Sequence, residues 1–189
     1  MDLRDWIVDE HAAVLARFEQ SIVGTVPLER WTDPAGPGGS SIAFLAFHTA
    51  YHEDLAVNAV LRDRPPVLCE WRNALGLADL DPATGLAEAE PAELTAALEL
   101  EPLGAYVRTV HESTVVHLAT LDTATLTATA DGPGALTAAG VAEAAVPWLH
   151  RMWADKPVAW FLQWEAIGHR VNHLGEMVSV RNRLGLSPF

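Results

Sequence analysis

A chain of 189 residues, half of them apolar and a fifth of them charged, has the composition of a folded globular protein and not of a disordered one. Its net charge of −13 disfavours nucleic acid or an anionic membrane as a partner, because both are normally bound by basic surfaces. The single cysteine excludes an intrachain disulfide, and the acidic N-terminal segment lacks the basic and apolar parts of a signal peptide.

No apolar run in the sequence approaches the length of about 18 residues that a membrane-spanning helix needs. The length is typical of one domain with a substantial core. We therefore expect a cytoplasmic protein with no membrane partner, folded as one domain over residues 1–189.

Helical periodicity dominates the first half of the chain. Apolar residues at 3–4 spacing favour a first helix over about 2–23, and a loop rich in proline and glycine follows it. A second helix is predicted over about 41–63, with Ser40 or Ser41 as its N-cap. Region 64–101 holds turn residues and one short helical segment, so it is predicted to be a long connection.

The second half predicts two more long helices. The third covers about 102–121, and the Thr/Ala-rich segment 122–137 is predicted to be a loop, whose composition leaves a short strand undecided. A short helical piece near 138–152, bent at its proline, comes next. The last helix runs to about Leu184, before the helix-ending glycine Gly185.

The start of the last helix carries its own signals. Asp155 is predicted to cap it, and Pro157 suits its first turn. Together the elements predict an all-α fold, a four-helix bundle with long connections after helices two and three. Long connections of this kind often form one wall of a binding site.

Two pairs of histidines four residues apart are the strongest functional signal. His48 and His52 lie on the second helix, and His169 and His173 lie on the last. Side chains four apart share one helix face, so each pair can reach one metal ion while a facing helix supplies a further ligand. Neither pair has the HExxH pattern of zinc proteases.

Carboxylates offer an alternative partner for these histidines. An inward imidazole needs a metal or a hydrogen-bonding group, because burying it unpaired costs about 1–3 kcal/mol. Glu53, Glu165 and Glu176 can form such a hydrogen-bonded core network instead. The sequence leaves both interpretations open.

Two segments of the sequence resemble the DinB/YfiT-like superfamily of four-helix bundles, which includes mycothiol-dependent maleylpyruvate isomerases and bacillithiol transferases. "HTAYHEDLAVNAVLRDRPP" is similar to the histidine segment of the family's second helix, and "GHRVNHLGEMVSVRNRLGL" to the HxxxHxGE segment of its last helix. The resemblance implies a divalent metal, nickel or zinc, held by His48, His169 and His173. It further implies that His52 either orients a ligand or is itself an optional ligand, and that Glu176 holds a neighbouring group.

Other residues have a functional and a plain structural interpretation. Glu165, one turn before His169, either orients that ring or forms a surface ion pair. His117, Trp164 and Arg170 are candidates for a substrate pocket. The simpler interpretations are a core histidine for His117, core packing for Trp164 and a solvated side chain for Arg170. The remaining predictions are core packing for His11 and for the tryptophans Trp148, Trp153 and Trp160, exposure for His111 and His150, and a small buried apolar role for Cys69.

Two functions of different classes follow from these features. The first is a metal-dependent enzyme that activates a low-molecular-weight thiol or water, for thiol transfer, isomerisation or hydrolysis of a small electrophile. The second is a non-catalytic helical bundle, a binding or stress-related module with a histidine-lined core. Either form is compatible with a homodimer.

Overall fold

The chain folds into helices and connections. The structure, a computed structural model, describes residues 1–34, 36 and 38–188. Across these residues no β-strand forms, and the closest approach to one is an isolated antiparallel bridge between Thr129 and Pro157. The predicted all-α class is confirmed.

The α-helices are numbered in chain order. They are α1 (Leu3–Phe18), α2 (Ile42–Asp54), α3 (Leu68–Trp71), α4 (Ala92–Ala97), α5 (Leu100–Ala119), α6 (Gly132–Ala138), α7 (Pro147–Trp153), α8 (Val158–Trp160) and α9 (His169–Arg183). Segments of π-helix extend α1 over Glu19–Val23, extend α2 over Leu55–Leu61 and join α8 to α9 over Phe161–Gly168. Short 3₁₀ turns cover Leu28–Arg30, Pro82–Leu86 and Thr123–Thr127.

Four long helices form a bundle. Helix α2 packs against α5 and α9, and α1 packs against the same two helices from the other side. The 3₁₀ turn Pro82–Leu86 and α4 also pack on α2. Every residue of α2 is therefore buried, and its polar side chains have to find partners inside the protein.

Local capping signals explain where the predicted helices begin and end. Asp2 and Asp5 form a capping box at the start of α1, and the hydroxyl of Ser41 accepts a hydrogen bond from the backbone N–H of Phe44 at the start of α2. Gly185 follows α9 with φ of 77°, a conformation that favours glycine. The predicted boundaries agree with the structure to within about two residues at these positions.

The start of the last helix differs from the prediction. Asp155 has φ of 57° and lies in a turn before the helix, so it does not cap it. Pro157 takes the N-cap position itself, and α8 begins at the next residue. The left-handed backbone at Asp155 turns the chain between α7 and α8.

Segment 122–137 is more helical than predicted. Its Gly-Pro-Gly sequence suggested a loop, but α6 begins there at Gly132, because Asp131 caps it by accepting a hydrogen bond from the backbone of Gly134. Pro133 fits the first turn, where the backbone N–H that proline lacks would have no partner within the helix. Pro147 likewise begins α7 and does not bend a helix that is already under way.

Three exposure predictions are wrong. His111 and His150 are buried. His111 stacks on His11 with ring centroids 4.1 Å apart, and Nε2 of His150 bonds the backbone carbonyl of Val141 at 3.0 Å. Cys69 is exposed, because its neighbour Leu68 takes the inward position on α3.

The helices of the described residues include none that is both long and apolar enough to cross a bilayer.

Candidate metal centre

Four imidazole rings from α2 and α9 meet at one point in the bundle. The ring centroids of His48 and His52 lie 4.5 Å apart, as do those of His52 and His169, and those of His169 and His173. His48 lies 5.1 Å from His169 and 5.2 Å from His173. Helices α2 and α9 are neighbours in the bundle, so the two histidine pairs face one another.

The donor nitrogens are close enough to share a cation. Ligand atoms of His48, His52 and His169 all lie within 4.8 Å of one another, and all three residues are buried. Nε2 of His173 is 2.9 Å from Nε2 of His169. Buried His and Glu groups of this chain can therefore hold a divalent metal ion.

In three of the four rings Nδ1 has an outer partner, whereas Nδ1 of His169 is buried without a hydrogen bond. Nδ1 of His48 donates to the carbonyl of Gly85 at 3.0 Å, because a carbonyl can only accept. Nδ1 of His52 lies 3.1 Å from Oε2 of Glu165, and Nδ1 of His173 lies 2.9 Å from Oε2 of Glu176. Such contacts select the tautomer that leaves Nε2 free, which is how metal-binding histidines are oriented.

The Nε2 atom of His52 has no partner. It is buried and forms no hydrogen bond in the structure. An unpaired buried nitrogen is unfavourable, and this one belongs to the cluster whose donor atoms converge. The donor set therefore fits a transition-metal ion, for which imidazole is a common ligand.

Glu165 contacts two histidines of the cluster. It is fully buried, its Oε1 accepts a hydrogen bond from Nε1 of Trp153 at 2.7 Å, and its Oε2 faces both His52 and, at 3.7 Å, His169. Burial raises the pKa of this carboxyl to about 8, although the hydrogen bond from Trp153 opposes the shift. Its burial excludes the surface ion pair, and its contacts with His52 and His169 are those expected of a residue that orients these rings.

Burial keeps the histidines neutral. It lowers the pKa of His48 to about 2, with the neighbouring His52 adding to the effect. It lowers the pKa of His52 to about 3, with His173 adding to it, and it lowers the pKa of His169 as well. Neutral imidazoles can donate a lone pair without first losing a proton, which favours metal binding near neutral pH.

A cavity of about 310 Å³ opens beside the histidines. It lies between α2, α7 and the last helix, so the long connection that carries α7 forms one wall, as its length led us to expect. Besides the four histidines and Glu165, its lining consists of Ser40, Phe44, Leu45, Glu88, Trp148, Met152, Trp164 and Glu176. A pocket of this size takes a small organic molecule.

Among the tryptophans, the roles divide. Trp148 and Trp164 line the cavity, the second as predicted. Trp153 is fully buried and Trp160 packs edge-on against Phe161 at 5.2 Å, so these two serve packing.

The π-helical segment Phe161–Gly168 carries Glu165 and leads directly into His169. Its neighbour across the bundle is the π-helical segment Leu55–Leu61, which follows the histidines of α2. Wider π-helical turns shift the side chains that follow them, and they occur often at functional sites.

Arg170 does not line the histidine cavity. It is buried on the opposite side of α9, where its guanidinium forms an ion pair with the fully buried Glu53. Oε1 of Glu53 also lies 2.7 Å from Nε2 of His11, and His11 stacks on His111. Arg170 was expected at a pocket or on a solvated face. It is instead part of a buried ion-pair cluster, because α1, α5 and α9 all pack around Glu53.

Donor atoms of His11, Glu53 and His111 also lie within 4.8 Å of one another. Burial alone raises the pKa of Glu53, but Arg170 and His11 outweigh it and bring the pKa down to about 2. The carboxylate is thus already neutralised by a permanent cation. Nδ1 of His11 and Nδ1 of His111 are nevertheless buried without a hydrogen-bond partner, as is Nε2 of His52.

His117 lies away from the histidine cavity. It is half-buried near the end of α5, and its Nε2 has no hydrogen-bond partner. Burial, and then the charge of Arg62, lower its pKa. The expected role in substrate binding finds no support in its position.

Several residues of the site carry no signal in the sequence. Gly85 and Glu88 come from a connection whose path depends on tertiary packing. The i,i+4 spacing indicated that His52 shares a helix face with His48. Only the structure shows that the ring of His52 is as close to His169 as the ring of His173 is.

Comparisons with known proteins identify the fold and no function. No protein-family profile matches the chain, and no curated protein matches it. A crystal structure of a conserved protein from Enterococcus faecalis is similar, with a TM-score of 0.71 and 19% identity over 98% of this chain and 99% of that chain. At this identity the likeness supports the helical-bundle fold alone.

Proposed function

We propose that the chain is a DinB/YfiT-like protein in which His48, His169 and His173 bind a divalent cation, with His52 as a fourth nitrogen donor. The observation that carries the proposal is the meeting of these imidazoles at one cavity, where the enclosed Nε2 of His52 has no partner. A cation compensates the cost of burying that nitrogen. Nickel and zinc are the ions we favour, because both accept imidazole ligands.

When bound, the cation supplies the Lewis acidity that lowers the pKa of a thiol or water next to it. The chain's own residues perform the other tasks. Gly85 and Glu165 hold the rings of His48 and His52, and Glu176 holds that of His173. The apolar side chains of Trp148 and Trp164 shield the cavity from bulk water.

The partner we infer is a small electrophile, attacked by a low-molecular-weight thiol or by water. In a thiol transfer, a C–S bond forms, the thiol proton passes to solvent and the leaving group departs with its electron pair. A volume of about 310 Å³ accommodates reactants of this size. Isomerisation and hydrolysis use the same activated nucleophile and belong to the same proposal.

Metal content and stability test the proposal first. The purified protein is expected to retain about one divalent ion per chain, and a chelator is expected to lower its Tm. His169→Ala should abolish both effects. His117→Ala is the matched control, since this histidine lies outside the cavity, and it should retain the ion.

Activity is tested next with the metal-loaded protein, a simple thiol and a chromogenic aryl halide as electrophile. The expected result is conversion that depends on both the ion and His169. A folded protein that binds no ion, or one whose ion is unaffected by His169→Ala, contradicts the proposal.

A non-catalytic bundle is the second candidate. The observation that favours it is the cluster of His11, Glu53 and Arg170, where Nε2 of the buried His11 bonds Glu53 and its Nδ1 is buried without a partner. Under that function the chelator leaves the Tm unchanged.

A further inference from the structure

A second, outer cavity of about 690 Å³ lies next to the histidine cavity. The two share Glu88 and Trp148 in their walls, so these side chains stand at the boundary between them. The outer cavity is formed by the connection after α3 and by the residues that lead into α7. A ligand that fills the inner cavity contacts both the histidines and these two boundary side chains.

The walls of both cavities are acidic. Glu176 lies in the inner one, Glu88 at the boundary, and Asp81 and Glu93 in the outer one, whereas the buried Glu165, with its pKa raised to about 8, adds little negative charge at neutral pH. The described residues that line the two cavities include neither a lysine nor an arginine. The net charge of −13 adds to the negative potential there.

The inner cavity also contains a nitrogen that can bind a ligand independently of these acids. Nε2 of His52 is completely buried, unpartnered and in the wall of the inner cavity. Aromatic rings also line the cavities. Trp164 lies in the wall of the inner cavity, and Trp148 lies in the walls of both cavities. Indole faces attract organic cations, and carboxylates near them strengthen that attraction.

We propose that the small-molecule ligand of this site carries an ammonium group, and that this group lies beside Glu88 and Trp148 while the other end of the ligand reaches the histidines. Ligands with a carboxylate tail are disfavoured by the same charges. The inference rests on the proposed function, because it assigns a charge to the molecule that the metal centre would bind.

Three thiols that differ only at the far end of a six-carbon chain test the proposal. They are 6-aminohexane-1-thiol, 6-mercaptohexan-1-ol and 6-mercaptohexanoic acid. Their sulfur atoms are far from the varied group, so their thiol acidities are closely matched. Thiolate is a good ligand for Co²⁺, and the near-ultraviolet charge-transfer absorption of the Co²⁺-loaded protein reports its binding.

We expect the amine to bind about tenfold more tightly than the carboxylate at low salt, with the alcohol between them. Added NaCl should reduce the difference, because the charges are partly exposed. Glu88→Gln should bring the two affinities within about threefold of each other. Glu112→Gln removes an equal charge from the exposed face of α5 and should leave the preference unchanged.

Equal affinities for the three thiols, or a preference that Glu88→Gln leaves intact, would overturn the inference while the metal-centre proposal stands. If Co²⁺ binds but none of the thiols alters its absorption, the thiol-dependent function itself fails, and the inference fails with it.

Discussion

Nε2 of His169 lies 2.9 Å from Nε2 of His173, one turn further along α9. At this distance one ring donates a hydrogen and the other accepts it, so the two cannot both present a lone pair unless that proton leaves. A cation that binds both nitrogens displaces the shared proton. The two histidines nevertheless differ in burial, since the side chain of His169 is 11% exposed and that of His173 is 22% exposed.

That difference predicts unequal effects of removing each ring. His169→Ala should reduce the affinity for Zn²⁺ by about 100-fold or more, because the ring is enclosed between His52 and His48 and water replaces it poorly. His173→Ala should reduce it less, by about tenfold, because water can occupy the position at the cavity mouth. Competition with a chromogenic chelator measures both affinities, with His117→Ala as the control. Equal losses for the two variants would contradict the assigned geometry.

Glu165 should matter for the metal through the rings that it holds. Glu165→Gln keeps an oxygen that can accept from Trp153, but it weakens the contact with His52. We expect Zn²⁺ affinity to fall about 10–100-fold, as is typical when an orienting partner of a ligand is changed. The same competition assay measures it.

Trp153→Phe is the companion variant for Glu165. It removes the hydrogen bond to Oε1 and part of a buried ring but leaves the carboxylate in place, so it should lower the affinity by less than Glu165→Gln does. If Glu165→Gln binds Zn²⁺ as the unmodified chain does, the carboxylate does not orient the ligand.

Much of the fold could be predicted because its signals are local. The caps at Asp2 and Ser41 and the glycine after α9 mark helix ends by contacts within a few residues. The helix α6 was missed since glycine and proline are ambiguous: Pro133 breaks a helix in its interior but suits its first turn.

The site could be predicted only in part, since spacing along one helix says nothing about the facing helix. The i,i+4 pairs on α2 and α9 indicated which imidazoles share a face. Because every residue of α2 is buried, no polar stripe showed that Glu53 turns toward α1 while His52 turns toward α9. The burial of Arg170 and His111 follows from that same arrangement of helices, which no short segment of the sequence indicates.

The ion pair between Glu53 and Arg170 joins α2 to α9 immediately next to His52 and His169. Arg170→Met should destabilise the protein by about 3–5 kcal/mol, because it leaves a buried carboxylate without its permanent cation. Urea unfolding of the metal-free protein measures this loss.

The double variant Glu53→Gln with Arg170→Met tests the cause of that loss. With no charge left to bury, it should recover a substantial part of the stability. A double variant that is less stable than Arg170→Met would show that the loss comes from packing and not from the unpaired charge.

The metal-free protein should lose stability in mild acid. Burial, with the neighbouring His11, lowers the pKa of His111 to about 4, and the pKa values of His48 and His52 are about 2 and 3. In the unfolded chain these groups titrate at about 6.5, so between that pH and about 4 the unfolded state binds more protons than the folded state. Each such histidine therefore decreases the free energy of unfolding as the pH falls, by up to about 1.4 kcal/mol per pH unit. Glu165, whose pKa is raised to about 8, opposes this with at most the slope of one group, so the histidines together determine the sign.

Urea titrations at pH 7, 6, 5 and 4.5 measure this slope in the chelator-treated protein. His111→Phe keeps a flat ring against His11 and removes one titrating group, so its stability should fall less steeply with acid. His150 provides the comparison, as a buried histidine whose Nε2 is bonded to a backbone carbonyl. His150→Phe breaks that bond and should lower the free energy of unfolding at every pH. The free energy of unfolding of the His111→Phe variant should instead approach that of the unmodified chain as the pH decreases. A stability that stays constant from pH 7 to 4.5 would mean that these imidazoles accept protons freely in the fold.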